Sequence, residues 1–155
     1  MSAAEQTGGE SYVLLQIGER RFAMPSKNVS ELAPPVRLHE FPHTTPLVAG
    51  VIVRRGRIVP VYDVAPVLTG KRSSAHRFYL IARREFGAVS EPSAIPVSGE
   101  CELATAEMQQ PLADDPEYFS GSLTIGHEKI DVLDMETLVT SRPANTNEAA
   151  PRGVQ

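Results

Sequence analysis

Short runs of apolar, mostly β-branched residues recur along this chain, and most are followed by a brief polar turn. This pattern is typical of β-strands joined in hairpins. The segment "SYVLLQIGERRFAMP" predicts two strands around a tight turn at Gly18 and Glu19. In "VAGVIVRRGRIVPVYDV" the turn falls at Arg55 and Gly56, where glycine supplies an unusual backbone angle. The segments "FYLIARREFGAVSE" and "YFSGSLTIGHEKIDVLDM" repeat the same plan.

Weaker signals lie between the hairpins. Residues 29–32 predict a strand that Pro34 and Pro35 end, and "SAIPVSGECEL" predicts one or two more. Helical periodicity is nearly absent, and only "APVL" and "METLV" predict short helical turns. Asp63 and Asp134 come just before these turns, where a carboxylate accepting backbone N–H groups is a better interpretation than acid–base chemistry. The chain is therefore predicted to be all-β.

Part of the chain matches itself without a gap at a constant offset of 71 positions. The identical pairs are Gly50/Gly121, Val61/Val132, Asp63/Asp134 and Thr69/Thr140. Internal similarity of this kind indicates one supersecondary unit used twice. Two small β-barrels of about five strands each, packed against each other, account for the repeat.

Composition places the chain among ordinary globular domains, with 155 residues, 41% of them hydrophobic and 22% charged. Residues 11–141 are expected to form a single domain of two β-subdomains, and the polar ends, residues 1–10 and 142–155, to be disordered tails. The first residues lack the apolar stretch of a signal peptide, and no apolar run reaches membrane-spanning length. A single cysteine suits a reducing compartment. These features predict a cytoplasmic protein without direct membrane insertion.

Candidate catalytic and metal-binding residues are sparse. His39 and His43 have a spacing of four, but Pro42 intervenes and no helix is expected there. Cys101 has no identifiable base, so we expect a half-buried structural thiol rather than a nucleophile. We therefore expect no enzyme, no catalytic residue, no metal and no cofactor. An enzyme with an unrecognised site is the weakest alternative.

Arg54, Arg55 and Arg57 crowd the turn of the second hairpin. One interpretation is a solvated turn that discourages edge-to-edge pairing of strands. Another is a guanidinium that makes bidentate contacts, either to a carboxylate on the neighbouring lobe or to a partner. A third is a nucleic-acid-binding β-barrel that uses these arginines together with Lys71, Arg72 and Arg77. The net charge of -4 and the low aromatic content weigh against nucleic acid.

The segment "GVIVRRGRIVPVYDV", residues 50–64, resembles "GVxNLRGxIxPVxDL", the hallmark of the CheW-like chemotaxis coupling (scaffold) protein family. Upstream, "FAMPSKNVSEL" is similar to the family pattern that places Val29, Glu31 and Leu32. Downstream, "YFSGSLTIGHEKIDVLDMETLV" is similar to the family's closing segment. The resemblance covers residues 11–141, nearly all of the chain that is expected to be ordered.

The resemblance implies two SH3-like β-barrel subdomains with an apolar interface between them. It also implies a non-enzymatic adaptor in bacterial chemosensory signal transduction. The implied partners are the cytoplasmic tip of a chemoreceptor (a methyl-accepting chemotaxis protein) and the regulatory domain of a CheA-type histidine kinase. The implied partner-binding residues are Val29, Glu31, Leu32, Arg55 and Gly56. Apolar strand residues would grip a receptor helix, and Arg55 would fix its orientation.

The chain departs from the family pattern at two places. Val53 and Arg54 stand where the hallmark has Asn-Leu. Residues 90–93, "SEPS", replace the usual V-D-x-V, and Pro92 predicts a shortened or bent strand. This divergence motivates the hypothesis that the protein serves a chemosensory array controlling something other than swimming, such as surface motility or second-messenger output.

Overall fold

Ten β-strands and two five-residue α-helices make up most of the computed structural model, which describes residues 9–40, 47–71, 78–86 and 88–140. A single 3-10 turn, Ser26–Asn28, joins the second strand to the third. The strands are β1 (Glu10–Ile17), β2 (Arg20–Pro25), β3 (Val29–Ala33), β4 (Val48–Arg54), β5 (Arg57–Tyr62), β6 (Phe78–Phe86), β7 (Val89–Val97), β8 (Glu102–Ala106), β9 (Phe119–Ile125) and β10 (Glu128–Leu133). The helices are α1 (Ala65–Thr69) and α2 (Met135–Val139).

The predicted hairpins are all present as antiparallel pairs: β1–β2, β4–β5, β6–β7 and β9–β10. The helices form at "APVL" and "METLV", as predicted, and β3 covers the strand predicted at residues 29–32. The predicted tails, residues 1–10 and 142–155, lie outside the described residues except for positions 9 and 10, and β1 already begins at Glu10.

The strands form two five-stranded sheets, which confirms the predicted all-β architecture of two subdomains. One sheet, in the order β3-β6-β7-β5-β4, is the central lobe; the other, in the order β8-β1-β2-β10-β9, is the terminal lobe. The first five strands, β1–β5, and the last five, β6–β10, exchange strands between the lobes. β3 follows the β1–β2 hairpin but pairs with β6, and β8 follows the β6–β7 hairpin but pairs with β1. Each lobe therefore combines a hairpin from one half of the chain with three strands from the other half.

The offset of 71 positions has a structural counterpart in the β4–β5 and β9–β10 hairpins. The offset places β4 onto β9 and β5 onto β10 end to end. The β-bulge is repeated as well. In the β4–β5 hairpin the register shifts between Val48 and Gly50, and in the β9–β10 hairpin it shifts between the equivalent residues, Phe119 and Gly121. Each hairpin also has an isolated bridge to a segment outside the sheets. His39 bridges to Val51, and Gln109 bridges to Ser122, the equivalent residue. The sequence repeat is thus a true duplication of structure.

Apolar side chains form three cores. Each lobe has an inner core, including Tyr79 and Ile81 in the central lobe and Tyr12 and Leu14 in the terminal lobe. A third and larger core lies between the lobes, where Leu15, Phe22 and Met24 meet Leu80, Ile95 and both helices. Because β1 and β6 bury both faces, they appear in the sequence as nearly continuous apolar runs rather than as alternating ones.

A nearly buried arginine adds a polar contact between the lobes. Arg84 of β6 donates from Nη2 to Glu136 Oε2 of α2 at 2.8 Å and from Nη1 to the Tyr62 hydroxyl at 2.9 Å. Its side chain is 10% exposed, the least of the arginines in the ion pairs of the described residues, whereas that of Glu136 is 48% exposed. A charged group in such a place requires partners on its donors, which Glu136 and Tyr62 supply.

Both aspartates cap the turns that follow them. Asp134 accepts the backbone N–H of Glu136 at 3.2 Å and the Thr137 hydroxyl at 3.0 Å. Asp63 accepts the backbone N–H of Ala65 at 3.2 Å. Asp134 is therefore the N-cap of α2, as predicted, whereas Asp63 lies one residue before Val64, the N-cap of α1, and still accepts a backbone N–H of that helix.

Pro92 does not shorten its strand. β7 spans nine residues, and its pairing with β6 runs from Phe86↔Val89 to Phe78↔Val97 without a change of register. The predicted shortening was wrong because β7 pairs with its other neighbour, β5, only at Val61↔Ala94. The first half of β7, which holds Pro92, is therefore paired only with β6. Proline lacks a backbone N–H, and this is tolerated where one side of a strand has no hydrogen-bonded neighbour.

Gly121 lies so close to another segment that a side chain does not fit. A Cβ at this position would overlap the carbonyl oxygen of Gln109, which belongs to the isolated bridge with Ser122. We expect Gly121→Ala to lower the free energy of unfolding by about 1–3 kcal/mol, the cost typical of overpacking. Gly99→Ala is the matched control, because the nearest atom to its added Cβ is 3.8 Å away. Urea unfolding measures both; equal midpoints for the two variants would contradict the close approach.

Candidate partner-binding site

The tip of the β4–β5 hairpin carries two consecutive residues with left-handed backbone angles, Arg55 (φ 55°) and Gly56 (φ 77°). Two such residues form the type I′ turn that matches the twist of the flanking strands. Arg54 and Arg57 are the pair that closes the turn. Three arginines therefore surround one exposed tip, as the sequence predicted.

Glu31 lies on β3, at the opposite edge of the same sheet, and its carboxylate meets two of these arginines. Arg54 donates from Nη2 to Oε1 at 2.9 Å and from Nε to Oε2 at 3.3 Å. Arg55 donates from Nη2 to Oε1 and from Nε to Oε2, both at 3.3 Å. These contacts link the first and last strands of the central lobe. The arginines therefore make bidentate contacts to a carboxylate, as one interpretation predicted. The carboxylate lies on the same lobe, however, and not on the neighbouring one.

The two arginines hold the Glu31 carboxylate in its charged form. Hydrogen bonds from Arg54, and then from Arg55, lower the pKa of Glu31 from its ordinary 4.5 to about 2. The Arg54 guanidinium has its own pKa raised, chiefly by the hydrogen bond to Glu31. The side chains of Glu31 and Arg54 are each 24% exposed, whereas that of Arg55 is 72% exposed. One carboxylate thus faces two guanidinium groups, and one of these is mostly in solvent.

An exposed apolar pair lies beside the arginines. Val53 and Ile58 are directly opposite each other in the β4–β5 ladder and are 53% and 70% exposed, while their neighbours Ile52 and Val59 are buried in the inner core. Sequence reasoning missed this pair. The signal was present, because a turn at residues 55–56 places positions 53 and 58 on the same outer face.

The five implied binding residues do not form one cluster. Glu31 and Arg55 meet, and Gly56 adjoins them at the exposed tip. Val29 and Leu32 lie on the same strand as Glu31 but are partly buried against the core between the lobes. The structure therefore separates a charged tip from an apolar margin along the lobe junction.

The β9–β10 hairpin is a useful comparison for the β4–β5 hairpin, since it has strands of the same lengths and an equivalent bulge. Its outer face carries Thr124 and Lys129 at the positions of Val53 and Ile58. At the position of Arg55 it has Gly126, with φ 63°. The fold therefore requires neither an exposed apolar pair nor arginines at this tip.

Comparison with known proteins agrees with this architecture. The family model of the CheW-like domain matches residues 11–142. The chain belongs to the CheW-like domain family. Its fold is also similar to the crystal structure of the scaffolding protein TtCheW from Thermoanaerobacter tengcongensis, with a TM-score of 0.70, 20% identity, and coverage of 84% of this chain and 87% of that chain. No curated relative matches the sequence.

Membership of the CheW-like family carries a general role. The family consists of non-enzymatic scaffolds of two SH3-like subdomains that act as coupling adaptors in chemosensory arrays.

The surroundings of Cys101 fit a structural thiol, because partial burial raises the pKa of this thiol to about 11. Within the described parts of the chain, no three metal-ligating side chains come together, and no helix could span a membrane. His43 lies outside those parts.

The nucleic-acid alternative gains no support from the structure. Two of its six cations, Arg54 and Arg55, contact a carboxylate instead of presenting an unopposed positive surface. Two others, Arg72 and Arg77, lie outside the described residues.

The lowered pKa of Glu31 can show which of the two arginines stabilises its charged form more strongly. We expect the side-chain carboxyl to titrate near pH 2 by NMR, so the stability it contributes is complete above its ordinary pKa of 4.5 and is lost as the pH falls through about 2. Arg54→Ala should move the midpoint further toward 4.5 than Arg55→Ala, because Arg54 makes the shorter and less exposed contact. Equal shifts in the two variants would contradict this ranking.

Proposed function

We propose that this protein is a cytoplasmic adaptor that couples the signalling tip of a chemoreceptor to the regulatory domain of a CheA-type histidine kinase. The observation that carries the proposal is the surface of the β4–β5 hairpin, where an exposed apolar pair adjoins an arginine-rich tip. The equivalent hairpin of the terminal lobe has neither feature. Because the fold forms without them, their presence in the central lobe favours a binding role.

The chemistry of this surface suits a small reversible interface. Val53 and Ile58 supply apolar contact area, and Arg55 supplies a charged rim that orients a partner. A receptor tip is a helical hairpin, so its helix can lie along apolar strand residues, with Val29 and Leu32 contributing at the lobe junction. Such contacts are weak one at a time and gain strength from the many copies in an array.

The adaptor role predicts co-sedimentation with membranes or assemblies that display a receptor cytoplasmic fragment, with and without the kinase. We expect Arg55→Glu to weaken this association about tenfold, equivalent to about 1.4 kcal/mol, because it reverses the charge of the exposed rim. The fold should persist, since the side chain is mostly in solvent.

Lys129→Glu is the matched control, because this exposed lysine occupies the equivalent outer face of the twin hairpin. It should bind as the unaltered protein does. If Arg55→Glu also binds normally, Arg55 has no part in the interface. If the unaltered protein does not sediment with receptor or kinase at all, the adaptor proposal is wrong.

The departures from the family motif motivate a second part of the proposal, that the array controls an output other than swimming. Val53-Arg54 and the "SEPS" segment are the residues that diverge. Deletion of the gene should leave swimming chemotaxis intact while altering surface motility or a second-messenger level. A clean loss of swimming chemotaxis with nothing else changed would refute this part and leave the adaptor role in place.

A further inference from the structure

Arg55 has a positive φ where the twin hairpin has a glycine, although His127, the residue after that glycine, lacks the positive φ of Gly56. Among the described residues Arg55 is the single non-glycine residue with positive φ, and the equivalent position in the twin hairpin is Gly126, with φ 63°. A left-handed backbone brings the Cβ of any L-residue close to the following carbonyl, so arginine carries a steric cost here that glycine avoids. A strained residue that persists at such a place is a candidate for function.

The contact of Arg55 with Glu31 does not account for this cost. Both hydrogen bonds are 3.3 Å long, and the Arg55 side chain is 72% exposed. Ion pairs between exposed groups contribute little to stability because water screens them and because the side chains lose conformational freedom. The folded state therefore gives little reason for an arginine at this position.

Glu31 already has a better counter-ion in Arg54. The Arg54 guanidinium approaches to 2.9 Å and is only 24% exposed. Where the hallmark of the CheW-like family has leucine at this position, this chain has a second arginine. In this chain, one arginine can therefore pair with Glu31 while its neighbour contacts a partner.

The twin lobe shows that the fold does not need this charge cluster. Glu31 pairs with Ile81 in the central lobe, and Glu102 pairs with Leu14 at the corresponding place in the terminal lobe. Glu102 is 69% exposed and makes a 3.4 Å contact with Arg21. Ile125 stands where Arg54 stands. Both arginines of the central lobe are therefore additions to a tip that folds without them.

We propose that Arg54 is the resident counter-ion of Glu31, and that Arg55 is thereby left to bind a carboxylate of the partner that docks on this hairpin. Arg54 is then a positioning residue, and the partner carries Asp or Glu beside the apolar residues that cover Val53 and Ile58. A carboxylate is the expected group because Arg55 already engages one through Nε and Nη2, the fork geometry that bidentate pairing uses. The inference rests on the proposed adaptor function and specifies what its partner presents.

Three variants test the inference by titration calorimetry against a receptor cytoplasmic fragment and, separately, the kinase regulatory domain. Arg55→Gly should be at least as resistant to urea as the unaltered protein, because it installs the residue found in the twin turn, yet it should bind about tenfold more weakly. Arg54→Leu should also bind more weakly although Arg55 is still present, because Glu31 then withdraws Arg55 from the partner.

The third variant combines Arg54→Leu with Glu31→Gln. Removing the competing carboxylate frees Arg55, so binding should return to within about twofold of the unaltered protein. A purely structural role for Arg54 would not produce this rescue. Binding by the unaltered protein should fall with added salt more steeply than binding by Arg55→Gly, since an exposed charge contact is screened.

The outcomes separate the two proposals. If the unaltered protein binds neither fragment, the adaptor function fails and this inference fails with it. If it binds and Arg55→Gly binds equally well, the inference is overturned and the adaptor function stands. If Arg54→Leu binds normally, or if the combined variant stays weak, Arg54 does not act by releasing Arg55. A clear loss of stability in Arg55→Gly would remove the argument from backbone strain.

Discussion

The apolar core between the lobes is the constraint on which the rest of the structure depends. Each lobe closes over its own inner core, yet β1, β2, β6 and β7 still carry a second apolar face. Neither lobe has spare elements to cover that face, so each covers the other, and both short helices fill the margin. Burial of apolar area is the dominant favourable term in folding. The pairing of lobes is therefore a condition for a stable fold, and Arg84 adds a specific polar contact across it.

Duplication explains how such a small chain can keep its fold and vary its surface. The two repeated hairpins share strand lengths, a bulge and a tight turn, but the residues on the exposed parts of their outer faces differ in polarity and charge. One face is polar throughout the ladder; the other presents Val53, Ile58 and the arginines. Because the framework is the same, the difference between the faces is not a folding requirement, and binding chemistry could diverge in one copy while the other preserved the scaffold.

Local features of this fold were accessible from the sequence. The hairpins, the capped turns at Asp63 and Asp134, and the repeat follow from turn residues and from apolar periodicity, which act over a few positions. The exchange of β3 and β8 between lobes was not accessible, because strand pairing across tens of residues leaves no local mark. Pro92 was misjudged for the same reason, since its tolerance depends on which neighbour β7 lacks. The contact of Glu31 with Arg54 likewise joins strands that only the closed sheet brings together.

The exchange of strands also gives the two lobes different histories during synthesis. The five strands of the central lobe lie between residues 29 and 97, so they can pair while the ribosome is still translating the remainder, although their second apolar face stays uncovered until the other lobe packs on it. The β1–β2 hairpin emerges first and yet completes its sheet last, because β8, β9 and β10 come from residues 102–133. Until then, the apolar faces of this hairpin and of the central sheet can cover each other, so the central lobe is the template on which the terminal lobe is completed.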